Sequence, residues 1–409
     1  MIQVSRSKCR KNIHDAFRVS MATLIFFTGG FVSVDLFDLV PIDYFIMGLW
    51  LVISPLIFCS TKKIYVGGKD TTRLICFTTV SLASVFWSRF PFESFAYSIR
   101  FLLLLGMYFM LQNFNDFESI EKLIKNIITI VFWLSIISIV RFALQPNMFY
   151  GRYYFCVIER GDPNYTALSL IVAASYSYYF ARRDKQTSFR YALLTMYFFG
   201  LFLVTFSRGM FLALFLTLLI AFWPIMKRTA RRYRKLLLSV TSLIIAILPL
   251  GVLLAWDKLV ILLRFETLFS GAGRFDVWKR ALKALAERPI LGYGAGTLRF
   301  VVTMDHSTFT PGLVAHNSWI EIAVGVGLVG AMFLVAYVLQ VIRRLIMCRR
   351  HKRHDALFVN ITLWLFTFAL FAMLSINIET SRYLWLLMGL SGFLSKGLGV
   401  RDRFIVFRR

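Results

Sequence analysis

Long apolar segments recur from near residue 20 to near residue 395, and they constrain the fold of this chain more than any other feature. A helix needs roughly 20 apolar residues to cross the hydrocarbon core of a bilayer. Hydrophobic residues make up 58% of the sequence, whereas soluble domains hold roughly 45–50%. A soluble fold could not bury so much apolar surface. We therefore predict an all-α polytopic membrane protein, with residues 1–409 forming one integral membrane domain.

Hydropathy predicts about twelve transmembrane helices. The segments are 19–34, 42–59, 73–88, 95–113, 127–144, 165–181, 191–206, 210–225, 237–256, 318–341, 357–376 and 383–396. The N-terminal stretch lacks a small-residue cleavage site, so we expect it to be retained rather than removed as a signal peptide.

The positive charge of the chain indicates its orientation. Lysine and arginine outnumber acidic residues 47 to 21, which leaves a formal net charge of +26. Such cations collect in the cytoplasmic loops of membrane proteins. They cluster here in the N-terminal segment, the even-numbered connections and the C-terminal tail, so we predict that both termini are cytoplasmic. Because topology explains much of the charge, we expect no nucleic-acid partner.

The connection 257–317, between the ninth and tenth spans, is predicted to be one large periplasmic loop with short helices. Its stretch RFDVWKRALKALAE (274–287) is typical of an amphipathic helix. The apolar face is expected to carry Phe275, Trp278, Leu282 and Leu285. A proline at 289 should end this helix, and GYGAGT (292–297) is typical of a glycine-rich turn.

His316 stands just before the tenth span, at the predicted outer interface, and Glu321 follows it by a little more than one helical turn. A histidine in this position titrates near neutral pH and can take a proton from a hydroxyl group. The alternative is an interfacial histidine that caps a helix end.

Arg208 lies in TFSRGMFLAL, between two apolar segments where only a short turn fits. An arginine at this depth is unfavourable unless it snorkels to lipid phosphate or pairs with an anion. The large loop adds Arg274, Arg280 and Arg288, whose guanidinium groups suit phosphate. The alternative for these loop residues is a solvated helix face. Together with His316, the arginines suit a lipid-linked pyrophosphate donor attacked by a hydroxyl group.

The glycines at 325, 327 and 330 match the spacing of a dinucleotide-binding loop, but that loop must follow a strand. These glycines lie inside a predicted membrane helix. We therefore assign Gly327 and Gly330 to helix packing, where small residues let a neighbouring helix approach.

No cofactor or metal is expected. The five cysteines form no CxxC pair and show no metal-ligand spacing, and the outer face offers no carboxylate-rich site.

These motifs resemble those of the O-antigen ligase and polymerase family. His316-Asn317, nine residues, and then Gly327-x-x-Gly330 is similar to the family signature, and Arg208-x-x-x-Leu212 to its second motif. GDPNYTA (161–167) resembles the segment that leads into a middle helix of the family. Gly273-Arg274 resembles the arginine of its periplasmic loop. The resemblance covers roughly 150–340 and the layout of the spans.

The resemblance implies a metal-independent, inverting glycosyltransferase of the bacterial inner membrane, with its active site facing the periplasm. The implied donor is an undecaprenyl-pyrophosphate-linked glycan. His316 would activate the acceptor hydroxyl, Arg208 and Arg274 would bind the donor pyrophosphate, and Asn317 would orient His316 or cap the helix. Supporting roles are expected for Glu321, Arg280, Arg288, Arg152 and Arg160.

The implied acceptor is lipid A-core, as in O-antigen ligation during lipopolysaccharide biosynthesis, or a second lipid-linked glycan, as in a polymerase. Membrane lipids are the other expected partners. A twelve-span transporter is the alternative from another class. Transporters often carry charges at mid-membrane, and here Arg100 is the clearest such residue.

Overall fold

In this computed structural model the described residues are 69–145, 163–232, 274–302, 315–351 and 354–396, with short stretches at 18–20, 22–24, 26, 35–36, 40–41, 48, 63–67, 148–149, 152–153 and 403–406. The predicted span 237–256 and most of spans 19–34 and 42–59 lie outside the described residues. So do the parts of the 257–317 loop before residue 274 and between residues 302 and 315.

Helices form most of the described chain. They are α1 (Lys69–Ala83, followed by a 3-10 turn at Ser84–Trp87), α2 (Pro91–Gln112), α3 (Phe117–Leu144), α4 (Pro163–Arg183), α5 (Ser188–Val204), α6 (Arg208–Arg232), α7 (Arg274–Glu287), α8 (Leu298–Val301), α9 (Ser318–His351), α10 (Ala356–Ala372) and α11 (Arg382–Leu394).

The prediction of helices is thus confirmed in its main part, but short strands accompany them. They are β1 (Asp35–Leu36), β2 (Val40–Pro41), β3 (Lys63–Gly67), β4 (Met148–Phe149), β5 (Arg152–Tyr153) and β6 (Arg403–Val406). The strands form three antiparallel pairs, β1–β2, β3–β6 and β4–β5. The β3–β6 pair joins a segment ahead of α1 to the C-terminal region.

Three of the described helices, α2, α3 and α9, are long and apolar enough to cross a membrane. Shorter apolar helices lie at Thr71–Trp87, Ser188–Val204, Arg208–Trp223 and Ala356–Ala372. Large apolar side chains such as Trp133, Met196 and Phe215 are more than half exposed on the outer surface, which is how helices present themselves to lipid. The chain is a helical membrane protein. The number of twelve spans and their orientation stay predictions.

The main core lies between helices that are distant in sequence. Tyr108 of α2, Tyr337 of α9 and Trp385 of α11 are almost fully buried in it. The rings of Tyr108 and Tyr337 meet edge to face, with centroids 5.9 Å apart, a favourable aromatic geometry. This core holds α2, α9 and α11 together beneath the end of the molecule where the candidate site lies.

Arg100 is not the most deeply buried charge. It is half-buried, with its guanidinium 5.7 Å from the ring centroid of Tyr97, whereas Arg18 and Arg344 are each only 3% exposed. Arg18 donates a hydrogen bond to the carbonyl of Asn113 at 2.6 Å. Contact with a carbonyl compensates part of the cost of burying that cation.

Helix α7 has the predicted bounds, but the prediction of its buried face is partly wrong. Phe275 and Leu282 are more than half exposed, whereas Val277, Ala281 and Ala284 are buried in a second, smaller core. The alanines have little side-chain volume, so this face lets α7 approach α9 closely. Large apolar residues at helical spacing thus identified the helix but not the face it buries.

Helix α9 is interrupted at Gly327, whose backbone angles (φ 66°, ψ −177°) are not helical. Backbone groups of the loop after α7 bond to the interrupted turn: Leu328 N donates to the Pro289 carbonyl at 2.8 Å, and Gly294 N donates to the Gly325 carbonyl at 2.8 Å. A Cβ at Gly327 would lie 2.1 Å from the carbonyl oxygen of Ile290. The close neighbour of this glycine is therefore loop backbone, and not the second helix that the sequence suggested.

Candidate functional site

The loop between α10 and α11, residues 373–381, brings the candidate site together. It follows the last helical residue, Ala372, although the sequence predicted a span that continued to residue 376. Turn-type backbone bonds continue for a few residues, the last from the N–H of Ile376 to the carbonyl of Ala372 at 3.0 Å. We call this segment the α10–α11 loop.

Ser318, the first residue of α9, attaches the start of that helix to the α10–α11 loop. Its backbone N–H donates to the carbonyl of Met373 at 2.8 Å. Its hydroxyl donates to the carbonyl of Ile376 at 2.9 Å and accepts from the N–H of Ile378 at 2.8 Å. Ser318 is completely buried. These three bonds hold the start of α9, and with it the neighbouring His316, against the loop.

His316 and Asn317 divide their roles at the start of α9. The side-chain oxygen of Asn317 accepts from the N–H groups of Trp319 at 3.0 Å and Ile320 at 3.2 Å, so Asn317 is the N-cap. His316 is half-buried and has a φ of 49°, in the left-handed region that a non-glycine residue rarely adopts. Such strain persists only where surrounding contacts impose it. The helix-capping role therefore falls to Asn317.

The two candidate arginines start other helices beside the same loop. Arg274, the first described residue of α7, donates to the carbonyl of Ser375 at 3.2 Å. Arg208 is the first residue of α6, and a Cβ at the following Gly209 would lie 2.4 Å from Oγ of Ser375. Only glycine allows the α5–α6 corner to approach this closely. Both arginines are half-buried. The α10–α11 loop therefore contacts the starts of both helices, α6 and α7, that carry them.

The start of α4 also contacts the α10–α11 loop. The hydroxyl of Ser207 donates to the side-chain oxygen of Asn164, and the hydroxyl of Tyr165 donates to the backbone carbonyl of Asn377. Asn164 and Tyr165 belong to the GDPNYTA segment, whose first two residues lie outside the described part of the chain.

Two buried carboxyl groups lie beneath the start of α9. Asn377 donates from Nδ2 to Oε2 of Glu321 at 3.2 Å, and the hydroxyl of Tyr97 donates to Oε1 of Glu379. Glu321 is 7% exposed and Glu379 is 3% exposed, and the two groups interact electrostatically. Burial raises the pKa of Glu379 in the α10–α11 loop, against a smaller opposing effect of the hydrogen bond from Tyr97. Beneath the candidate base the site thus contains two buried acidic groups.

The other predicted site residues lie elsewhere. Arg280 donates to the carbonyl of Val302 at 3.5 Å, at the end of α8, and Arg288 lies over the ring of Tyr293 at 4.9 Å. Both contacts belong to the α7–α8 region. Arg152 is on β5, where only the backbone is described, and Arg160 lies outside the described residues.

Gly330 does meet another helix. A Cβ there would lie 3.4 Å from Val80 of α1, and also 2.3 Å from Val326 of its own helix.

Sequence reasoning missed most of the polar residues that assemble the site. They are Tyr97, Tyr165, Ser318, Ser375, Asn377 and Glu379. The available signal was the polar stretch SINIET (375–380) between two apolar segments, which hydropathy averaging partly absorbed into a span. Within the described residues there is no group of three or more His, Cys, Asp or Glu side chains that could hold a metal ion.

Comparison with known families shows what this region is similar to. Residues 191–335 match the family model described as O-antigen ligase. This part of the chain is similar to the O-antigen ligase family. The matched range contains α7, the start of α6 and the first half of α9, and therefore Arg208, Arg274 and His316. The α10–α11 loop lies beyond the end of the matched range, so the candidate site also includes a segment that follows the matched residues.

A curated relative supports the same assignment. The chain is 23% identical, over 262 residues, to a ComP-specific O-oligosaccharyltransferase from Acinetobacter baylyi (strain ATCC 33305 / BD413 / ADP1). The match covers 61% of this chain and 47% of the relative. This chain therefore spans about half the length of that protein. Glycan transfer is the activity class that both comparisons share.

Proposed function

We propose that this protein transfers a glycan from undecaprenyl pyrophosphate to an acceptor hydroxyl on the periplasmic side of the inner membrane. The acceptor we propose is lipid A-core, which makes the reaction O-antigen ligation in lipopolysaccharide biosynthesis. The observation that carries the proposal is the convergence on the α10–α11 loop of three helix starts, which bear Arg208, Arg274 and His316. All three residues lie within the O-antigen ligase match.

The chemistry that suits this arrangement is a direct displacement. The acceptor oxygen attacks the anomeric carbon as the bond from that carbon to the pyrophosphate oxygen breaks, and the bonding electron pair leaves with the pyrophosphate. Attack from the opposite face inverts the anomeric centre. His316 takes the proton of the attacking hydroxyl. Arg208 and Arg274 stabilise the negative charge that grows on the leaving group, so the step requires no metal ion.

A second acceptor class is favoured by the relative, whose name assigns its oligosaccharide transfer to ComP. Transfer to a protein hydroxyl needs the same base and the same arginines, and differs only in what approaches His316. A lipid-linked glycan as acceptor would make the protein a polymerase with unchanged chemistry.

A reconstituted transfer assay separates these functions. The purified full chain is incubated with undecaprenyl-pyrophosphate-linked glycan and EDTA, with lipid A-core present or omitted. We expect product only when lipid A-core is present. Longer lipid-linked glycan without lipid A-core would identify a polymerase. Glycan on protein in cells that express the chain, lost in His316→Ala, would identify a protein acceptor. Folded protein that transfers to none of these acceptors would contradict the proposal and reopen the transporter alternative.

A further inference from the structure

A groove lies between the end of α4 and the start of α5, on the outer surface of the bundle. Its volume is about 650 Å³, and it is lined by Tyr178, Ala181, Arg182, Lys185, Ala192 and Met196, among others. No contact assigned above to the candidate site involves these residues. The groove therefore requires its own explanation.

The lining of the groove divides into an apolar floor and a cationic mouth. Tyr178 is 47% exposed and Met196 is 72% exposed, so both large side chains can contact a molecule in the groove. Ala181 and Ala192 have small side chains, which leave the space between the two helices open. Arg182 and Lys185 lie where α4 gives way to the connecting turn, and both are exposed.

The two cations at the mouth are not neutralised within the described residues. No acidic side chain of the described chain forms an ion pair with Arg182 or Lys185. The acid of the turn, Asp184, instead accepts from the hydroxyl of Thr187 at 2.9 Å and from the N–H of Gln186 at 3.0 Å. The neighbouring Arg183 is already paired with Glu121. Two positive charges thus remain at the mouth of the groove, next to its apolar floor.

We infer that this groove binds one anionic phospholipid of the surrounding bilayer. The headgroup phosphate would lie between Arg182 and Lys185, and an acyl chain would follow the floor past Tyr178 and Met196. Basic pockets between transmembrane helices are suited to anionic headgroups. A soluble anion would leave the floor empty, and a zwitterionic lipid would leave the two cations uncompensated. The inference is independent of the proposed transfer reaction.

Native mass spectrometry of the full chain, from micelles that contain equal phosphatidylglycerol and phosphatidylcholine, tests this inference. The wild-type protein should retain phosphatidylglycerol in preference to phosphatidylcholine. Arg182→Gln with Lys185→Gln should weaken that binding about 30-fold, because each cation close to an anionic headgroup contributes roughly a factor of five. The matched control is Arg349→Gln with Arg350→Gln, which removes two exposed cations of α9 that do not line the groove, and should leave the binding unchanged.

A third variant distinguishes lipid from free anion. Ala192→Phe fills the floor and keeps both cations, so it should lower phosphatidylglycerol binding. In a separate competition with the wild-type protein, inorganic phosphate should displace the lipid poorly. Equal weakening by both double variants would indicate diffuse attraction to basic surface and would overturn the inference. Binding unaffected by Ala192→Phe, or removed by inorganic phosphate, would overturn it in favour of a simple anion site. Thermal unfolding of each variant establishes that it is folded.

Discussion

His316 is the residue on which the proposed chemistry depends most. It lies outside the helix that it precedes, and Asn317 supplies the cap. Because the imidazole is not required to terminate the helix, it can face a substrate.

We expect His316→Ala to lower transfer by roughly 10²- to 10⁴-fold, the usual contribution of a positioned general base. His351→Ala, at the exposed end of the same helix α9, is the matched control and should retain wild-type activity. Both variants should show the wild-type unfolding temperature within a few degrees. Full activity in a folded His316→Ala protein would exclude this residue as the base.

Glu379 gives a prediction for pH. Burial raises its pKa above the ordinary value of 4.5, so the folded state holds its proton at pH values where the unfolded state has lost it. Stability therefore falls as the pH rises above about 4.5, until the folded group also ionises. Glu379→Gln has no proton to lose and can still accept from Tyr97. Its unfolding temperature should exceed that of the wild type by an amount that grows as the pH rises above about 4.5. A difference that stays constant over this range would show that Glu379 is not held protonated.

At the scale of elements, the interruption of α9 explains why Gly325 and Gly327 stand so close together in this segment. The loop after α7 fits into the broken turn, which ties α7 and α9 into one unit. The hydrogen bond from Trp278 Nε1 to the carbonyl of Ala315, at 2.7 Å, adds a second tie close to His316. The candidate base and the start of α7 therefore share one rigid support.

Gly327→Ala should break that support. Its φ of 66° is strained for alanine, and the added Cβ would collide with the Ile290 carbonyl. We expect a loss on the order of 3 kcal/mol in the free energy of unfolding. Gly200→Ala is the control, since a Cβ there meets nothing within 4 Å, and alanine favours a helix by roughly 0.5–1 kcal/mol over glycine. Thermal unfolding of both variants in one detergent checks the pair. Similar unfolding temperatures for the two would contradict the role given to the broken turn.

At the scale of the whole molecule, the α10–α11 loop joins segments that are far apart in the sequence. Ser318 and Ile376 are 58 residues apart, and Tyr97 and Glu379 are 282 apart. The loop contacts the first turns of α4, α6, α7 and α9, so displacement of the loop would move the candidate base relative to both candidate arginines.

Ser318→Ala removes the two side-chain bonds of that attachment. Misplacement of reacting groups by about 1 Å can lower a rate about 100-fold, so we expect kcat to fall roughly 10- to 100-fold while KM for the donor changes little. Ser391→Ala is the control. Ser391 is also completely buried, but its hydroxyl bonds within its own helix, to the carbonyl of Met388 at 2.7 Å.

The two serine variants should lose similar stability, and only Ser318→Ala should lose kcat. Equal kcat in the two variants, with active wild-type protein, would reject the positioning role and leave the proposed function intact. Inactive wild-type protein would instead reject the function itself.

The sequence by itself determined the class of the protein and most of its helices. Apolar length and helical spacing are local properties, so the helices α1–α7 and α9–α11 could be predicted, with ends that differ by a few residues in most and by ten residues at the start of α3 and the end of α9. The residues His316, Arg208 and Arg274 could also be selected, because their chemistry is unusual for the apolar segments around them.

Tertiary structure decided which of these residues meet. The α10–α11 loop resembles the end of a span until its polar groups are seen bonded to α4, α7 and α9 and packed closely against α6. The same applies to Gly327, whose spacing predicts helix packing and whose backbone instead accommodates a loop. In both cases the deciding hydrogen bonds join residues tens to hundreds of positions apart, and such partners are fixed only when the chain has folded, because local pattern carries no information on distant donors and acceptors.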